Sequence, residues 1–138
     1  MLFRSYPNRD VICVAGDGDI QMTLQELGTA QQAGAAPIVI VVNNGMYGTI
    51  RMHQEREYPE RVSGTDLINP DFARYCESFG GFGITVKSTA EFEPALQQAL
   101  EHARKNRRPA LVHLKVDPQA ITPNATLDQI NAAARSRG

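Results

Sequence analysis

The sequence predicts an α/β fold: a parallel sheet with helices on both faces. Three observations carry that prediction. Short apolar runs alternate with helix-length segments in the order β-α-β-α-α-β-α-β, the pattern that crossover-connected parallel strands produce. The two most apolar runs, 11–15 (VICVA) and 38–42 (IVIVV), each end in a polar turn containing glycine, Gly16-Asp17-Gly18-Asp19 and Asn43-Asn44-Gly45. A single helix-length segment separates them, so the stretch is a β-loop-α-β-loop unit. Such a unit brings both turns to the same end of adjacent parallel strands, the edge at which open α/β sheets bind ligands.

Each element has a local reason. Residues 1–10 have no periodicity and read as an irregular start, an abrupt truncation or a few non-native residues. The apolar run 11–15 is expected to be a buried parallel strand. Asp19 is placed as N-cap of a helix over 20–33; Ile20, Leu24 and Leu27 keep helical spacing on it, and Gly34 stands where a C-terminal glycine is favoured. Pro37 marks the mouth of the next strand, and 38–42 is β-branched throughout, as a central strand requires. Residues 49–57 have helical composition, limited by Pro59, and 58–69 form a long loop. Asn69-Pro70-Asp71 reads as a helix start with Asn69 as N-cap, the helix ending before Gly80-Gly81. A short strand spans 82–86. Ser88-Thr89-Ala90-Glu91 is a capping box opening a helix to about Lys105. Pro109 precedes the last strand, 110–116, and a tail over 121–138 carries a helix near 127–134. The domain is thus placed at 11–120.

Composition narrows the function classes. With 138 residues, 42% hydrophobic and 21% charged, the chain suits one globular domain with a real core. A net charge of −1 gives no reason to expect nucleic acid or an acidic membrane as partner. The run 104–108 (RKNRR) is a helix C-terminal charge cluster that complements the dipole. No apolar run approaches the roughly 20 residues of a membrane span, and no signal peptide is visible. Cys13 and Cys76 lack metal or redox spacing and read as buried free thiols, which fits a reducing cytoplasm. His102 and His113 have no partner at metal-ligand spacing and read as structural.

The paired turns suit a phosphate held with a hard divalent cation. Asp17 offers a carboxylate and Asn44 an amide oxygen, the ligand types such a cation takes; Asn43 then shapes the turn. Gly16 and Gly18 let the main chain turn sharply and approach a phosphate closely. The amides of Gly18, Asp19 and Ile20 point at it from a helix start, with the macrodipole adding to the attraction. Alone, GDGDIQ does not match the GxGxxG of dinucleotide-binding turns.

GDG, twenty-four residues, then NN resembles the cofactor motif of thiamine-diphosphate-dependent enzymes. With QMTLQEL after GDG and MYGTIRMHQEREYP after NNG, the stretch resembles the C-terminal cofactor domain of the acetolactate synthase-like group. The resemblance covers nearly the whole chain after the first few residues, and it implies a domain N-terminally truncated, since family members carry more of the domain ahead of the first motif strand. It implies that Mg²⁺ is held by Asp17, Asn44 and the backbone carbonyl of Met46, and that Tyr47, Gly48 and Thr49 lie along the diphosphate and substrate pocket. It places Ile50 and His53 on a pocket-lining helix, with a surface or interface role for His53 equally open. Many relatives carry Ser, Cys or Ala at the position of Asp19, so Asp19 is expected to turn away from the phosphate as a cap. The resemblance also implies a 2-oxo acid decarboxylase or carboligase, and an oligomer. The cofactor-activating glutamate is expected from an N-terminal pyrimidine-binding domain, in the same full-length chain or a partner subunit. No segment here resembles that domain, so the chain alone is expected to be inactive. A benzoylformate or oxalyl-CoA decarboxylase-like part, or a non-catalytic binding or interface module, stays open, as do fragment and split-gene origins.

Overall fold

The computed structural model describes residues 6 and 8–137; the expected irregular start falls largely outside them. Two compact units divide the chain, Met1–Asn43 with Asn69–Lys115, and Asn44–Ile68 with Val116–Gly138.

The first unit is the sheet. Its strands are β1 (Ile12–Gly16), β2 (Ile38–Asn43), β3 (Phe82–Val86) and β4 (Ala110–Lys115), all parallel, in the order β1-β2-β4-β3. Side chains alternate between faces along a strand, and two cores follow. On one face Ile38, Ile40, Val86, Ala110 and Val112 pack against Ala95, Ala99 and Ala103. These alanines recur every four residues on a long helix, α5 (Thr89–Asn106), and their small size lets it lie close to the sheet. On the other face Val39, Val41 and Leu111 meet Leu24, Leu27, Phe72 and Cys76. Leu27 belongs to α2 (Glu26–Gln32), and Phe72 and Cys76 to α4 (Phe72–Ser78). Helices therefore cover both faces. Each fully buried Val, Leu, Ile or Phe contributes about 1.5–3 kcal/mol, so β2 and β4 anchor the unit.

β1 departs from the expectation of a buried strand. Ile12 and Val14 are 49% and 66% exposed, and Cys13 is exposed as well. An apolar run specifies a strand but not its place in the sheet; among the described residues β1 lies at an edge, and neither core includes any of its residues.

The helix expected over 20–33 is divided. A single turn, α1 (Asp17–Ile20), is followed by tight turns before α2 begins. Thr23 N–H bonds to Ile20 C=O (3.1 Å), Glu26 N–H to Thr23 C=O (3.0 Å) and Leu27 N–H to Leu24 C=O (3.2 Å), each three residues back. Leu24 and Leu27, both buried, stand three apart, a spacing that eclipses in a three-residue turn. α2 closes on Gly34, φ +63°, with Ala35 N–H on Ala30 C=O (2.8 Å) and Gly34 N–H on Gln31 C=O (3.1 Å). This is the Schellman arrangement its position suggests. α4 is capped by Asp71, whose carboxylate accepts Arg74 N–H at 3.1 Å, not by Asn69. At α5 Ser88 is the N-cap but makes no side-chain cap bond, and the Glu91 carboxylate takes the N–H of Lys87, one residue ahead of the cap, at 2.8 Å.

The second unit pairs α3 (Gly48–Glu57) with α6 (Leu127–Arg135). Buried Glu55 on α3 accepts from Arg51 Nε (3.0 Å), Glu60 N–H (3.4 Å) and Asn131 of α6. α6 opens with a full capping box: Gln129 N–H donates to Thr126 Oγ1 (3.2 Å) and Thr126 N–H to Gln129 Oε1 (2.9 Å).

Candidate functional site

Strand register builds the first half of the site. Gly16 pairs with Val42, so the next residues along the two strands are Asp17 and Asn43. Both are 3% exposed. A carboxylate removed from water is costly unless it is hydrogen-bonded. Asn69, in the loop ahead of α4, meets that need: its Nδ2 donates to Asp17 Oδ2 at 2.6 Å and to Asn43 Oδ1 at 3.0 Å. Gln21 Nε2 donates to Asn69 Oδ1 at 2.8 Å. On the other side Asn43 Nδ2 lies 2.8 Å from Nε2 of His113 on β4, and Thr85 Oγ1 of β3 lies 3.5 Å from His113 Nδ1. Phe72, the first residue of α4, meets the His113 ring edge-on at 5.1 Å. His113 is 2% exposed. Burial, then the Lys115 charge, pushes its pKa below the ordinary histidine value, against the opposing pull of Asp71 and Asp17.

In the second unit Asn44 and Met46 form a tight local turn. Asn44 Oδ1 accepts Met46 N–H at 3.1 Å, an Asx turn, and Gly45 between them has φ +74°, the left-handed region that favours glycine. Met46 faces Asp66 across an isolated antiparallel bridge. The bridge bonds are Tyr47 N–H to Thr65 C=O (2.8 Å) and Leu67 N–H to Gly45 C=O (2.9 Å), so Met46 is in the non-hydrogen-bonded position. Its own carbonyl points away from the partner segment. An amide oxygen has two lone pairs, so the Asx turn leaves Asn44 Oδ1 one more acceptor site. An amide oxygen and a main-chain carbonyl are ligand types that Mg²⁺ and Ca²⁺ take, as is the Asp17 carboxylate of the first unit. Among the described residues no cluster of three His, Cys, Asp or Glu exists, so transition-metal chemistry has no comparable set.

The predicted residues thus fall in two groups. Gly16, Asp17, Gly18, Asp19 and Ile20 belong to the sheet unit; Asn44, Met46, Tyr47, Gly48, Thr49, Ile50 and His53 belong to the other. Asp19 is corrected: it is the third helical residue, and its exposed carboxylate reaches back to accept Gly16 N–H at 3.3 Å. The macrodipole argument shrinks accordingly, because α1 is one turn and the dipole needs aligned peptides in series. A methyl on Gly48 would stand 2.7 Å from Asn44 Nδ2, so the Asn44 amide would have to shift to admit one. Ile50 and His53 are exposed on α3, and Arg56 lies 2.6 Å from His53 Nδ1. The sequence reading missed Asn69 and the partnership of His113. Two cap-type residues, Asn69 and Asp71, precede one helix that needs one cap. A polar residue inside the apolar run 110–114 also requires a buried partner. Both signals were present without naming the partner.

This arrangement defines a class: a parallel α/β domain with an acidic glycine turn and an asparagine turn in its chemistry-bearing loops. Solved structures share the fold. Benzoylformate decarboxylase from Polynucleobacter necessarius superposes with a TM-score of 0.75 at 24% identity, over 88% of this chain and 22% of that one. Rhodococcus jostii 4-hydroxybenzoylformate decarboxylase gives 0.73 at 27% identity, over 83% and 21%. Residues 2–114 match the family described as thiamine pyrophosphate enzyme, C-terminal TPP binding domain, and the chain belongs to that family. The acetolactate synthase large subunit of Haemophilus influenzae and the isozyme 3 large subunit of Escherichia coli are each 40% identical over 102 residues. The match covers 73% of this chain and 18% of each relative, so the chain spans under a fifth of their length.

Proposed function

We propose that this chain holds the diphosphate of thiamine diphosphate through Mg²⁺ as the cofactor domain of an acetolactate synthase-like 2-oxo acid carboligase or decarboxylase. The observation that carries the reading is Asp17: a carboxylate 3% exposed at a strand's carboxyl end, in the GDG turn that precedes an asparagine pair at the motif spacing. Asp17, Asn44 and the Met46 carbonyl are the proposed metal ligands. Gly16 and Gly18 allow close approach of the main chain, the amides of Gly18, Asp19 and Ile20 face the phosphate, and Tyr47, Gly48 and Thr49 flank it. Ile50 and His53 are assigned to the substrate side. When bound, thiamine diphosphate supplies the electron sink for cleaving the bond beside a 2-oxo acid carbonyl. The residues of this chain bind, orient and neutralise charge.

The partner in this reading is an N-terminal pyrimidine-binding domain, in the same full-length chain or a second subunit, within a homo-oligomer. The two free cysteines support a reducing cytoplasm. The decarboxylase reading is favoured by the names of the solved structures. The acetolactate synthase reading is favoured by the higher sequence identity, 40% against 24% and 27%.

Calorimetric titration with thiamine diphosphate, with and without Mg²⁺, tests the reading. Binding is expected to require the metal and to vanish in Asp17→Ala. Metal-independent binding, or equal binding by the variant, removes it.

A further inference from the structure

The polar string from Asp17 to His113 has one permitted direction. A carboxylate accepts and does not donate, so the group facing Asp17 Oδ2 at 2.6 Å must be the amide nitrogen of Asn69. That nitrogen has two hydrogens, and the second goes to Asn43 Oδ1. Asn43 then presents Nδ2 to His113 Nε2, which must accept. The ring proton is left on Nδ1, beside Thr85 Oγ1. Gln21 satisfies the remaining Asn69 oxygen. A proton on His113 Nε2 would set donor against donor at 2.8 Å. Turning the Asn43 amide would move that conflict to Asn69. Turning Asn69 would aim its oxygen at the Asp17 carboxylate.

We infer that Asn69 and His113 are positioning residues for Asp17: the neutral, Nδ1-protonated imidazole and the two amides lock the GDG turn to the carboxyl end of β2 in one orientation. The string runs across β1, β2 and β4 through side chains 2–3% exposed, Asn69 excepted, where a mismatched donor has no water to relieve it. Phe72, fully buried, restrains the ring through its edge contact. The groups that act electrostatically on the imidazole are Lys115, Asp71 and Asp17. A consequence for cation binding rests on Asp17 ligating Mg²⁺ as proposed above; the polarity of the string does not.

Two measurements on the full chain separate these. Side-chain ¹⁵N NMR should find His113 as the Nδ1–H tautomer alone, and Asn69→Ala should release it into a mixture of tautomers. In Mg²⁺ titrations with thiamine diphosphate present, Asn69→Ala and His113→Leu should weaken the metal by about tenfold, the scale of groups that orient ligands. His113→Gln puts an amide oxygen where Nε2 accepts and should stay within about twofold of the parent, below that scale. An Nε2–H tautomer in the parent chain, or unchanged Mg²⁺ affinity in folded Asn69→Ala and His113→Leu, overturns the positioning role. If Asp17→Ala binds Mg²⁺ as the parent does, the cation reading fails instead, and the tautomer result alone judges the string. Should His113→Leu not fold, Asn69→Ala and His113→Gln still decide.

Discussion

Asp17 and Asp19 are the same residue two positions apart, and their surroundings assign them opposite tasks. Asp17 follows the last paired residue of β1 and is buried beneath Asn69; Asp19 is exposed and spends its carboxylate on Gly16 N–H. The cysteines divide in the same way. Cys13 lies exposed on the edge strand, whereas Cys76 is fully buried under β4, its Sγ 3.9 Å from Pro109 C=O. Burial, with a smaller contribution from the Glu77 charge, pushes the Cys76 pKa up to about 12. A raised thiol pKa leaves almost no thiolate near neutrality, and the thiolate is the reactive form. Alkylation at neutral pH should therefore label Cys13 promptly and Cys76 only on unfolding. Mass spectrometry of a timed iodoacetamide reaction checks this, and equal labelling of both in the folded chain would contradict it.

At the scale of elements, α3 and α6 are clamped through Glu55. Burial pushes this carboxyl up, but bonds from Asn131, Arg51 and Glu60 N–H outweigh burial and hold its pKa below the ordinary value of 4.5. A group with a depressed folded-state pKa stabilises above its unfolded value, and that contribution is lost as pH falls through the folded value. The α3–α6 unit should therefore lose stability as pH falls below the ordinary value of 4.5 and on through the lower folded-state value. Glu55→Gln should be less stable at pH 7 and show a flatter acid limb; thermal melts between pH 7 and 3 measure both. Elements of this kind were legible when periodicity and caps agreed. The helix near 127–134 and the Gly34 terminus are local patterns, and the structure repeats them. The break between α1 and α2 was hidden because Leu24 and Leu27 fit either a three- or a four-residue turn. Asn69 was misassigned because its partner, Asp17, stands 52 residues away; local cap chemistry could not outbid a contact that only the sheet creates.

At the scale of the whole molecule, the proposed metal ligands are residues of this chain, and the group that starts the chemistry is proposed to come from another domain. A group that activates a bound cofactor must exchange a proton with it, which favours a pKa moved toward neutrality. The buried glutamate here is Glu55, and its donors hold it the other way, as a carboxylate. His113 is buried and committed to Asn43. His53 is exposed, its Nδ1 2.6 Å from the Arg56 guanidinium. Glu55 and His113, the buried glutamate and the buried histidine among the described residues, are thus committed to partners of their own. Binding and turnover should therefore separate: the chain is expected to take up thiamine diphosphate with Mg²⁺, yet release CO₂ from pyruvate no faster than the free cofactor does. Adding a pyrimidine-binding domain that carries an unclamped glutamate should restore turnover without tightening Mg²⁺ binding, because the proposed metal ligands, Asp17, Asn44 and the Met46 carbonyl, lie in this chain. Sustained CO₂ release by the chain alone would mean that one of the committed side chains is freed on binding. Glu55→Gln, which removes the buried carboxyl that lies outside the GDG turn among the described residues, would then be the variant that identifies it.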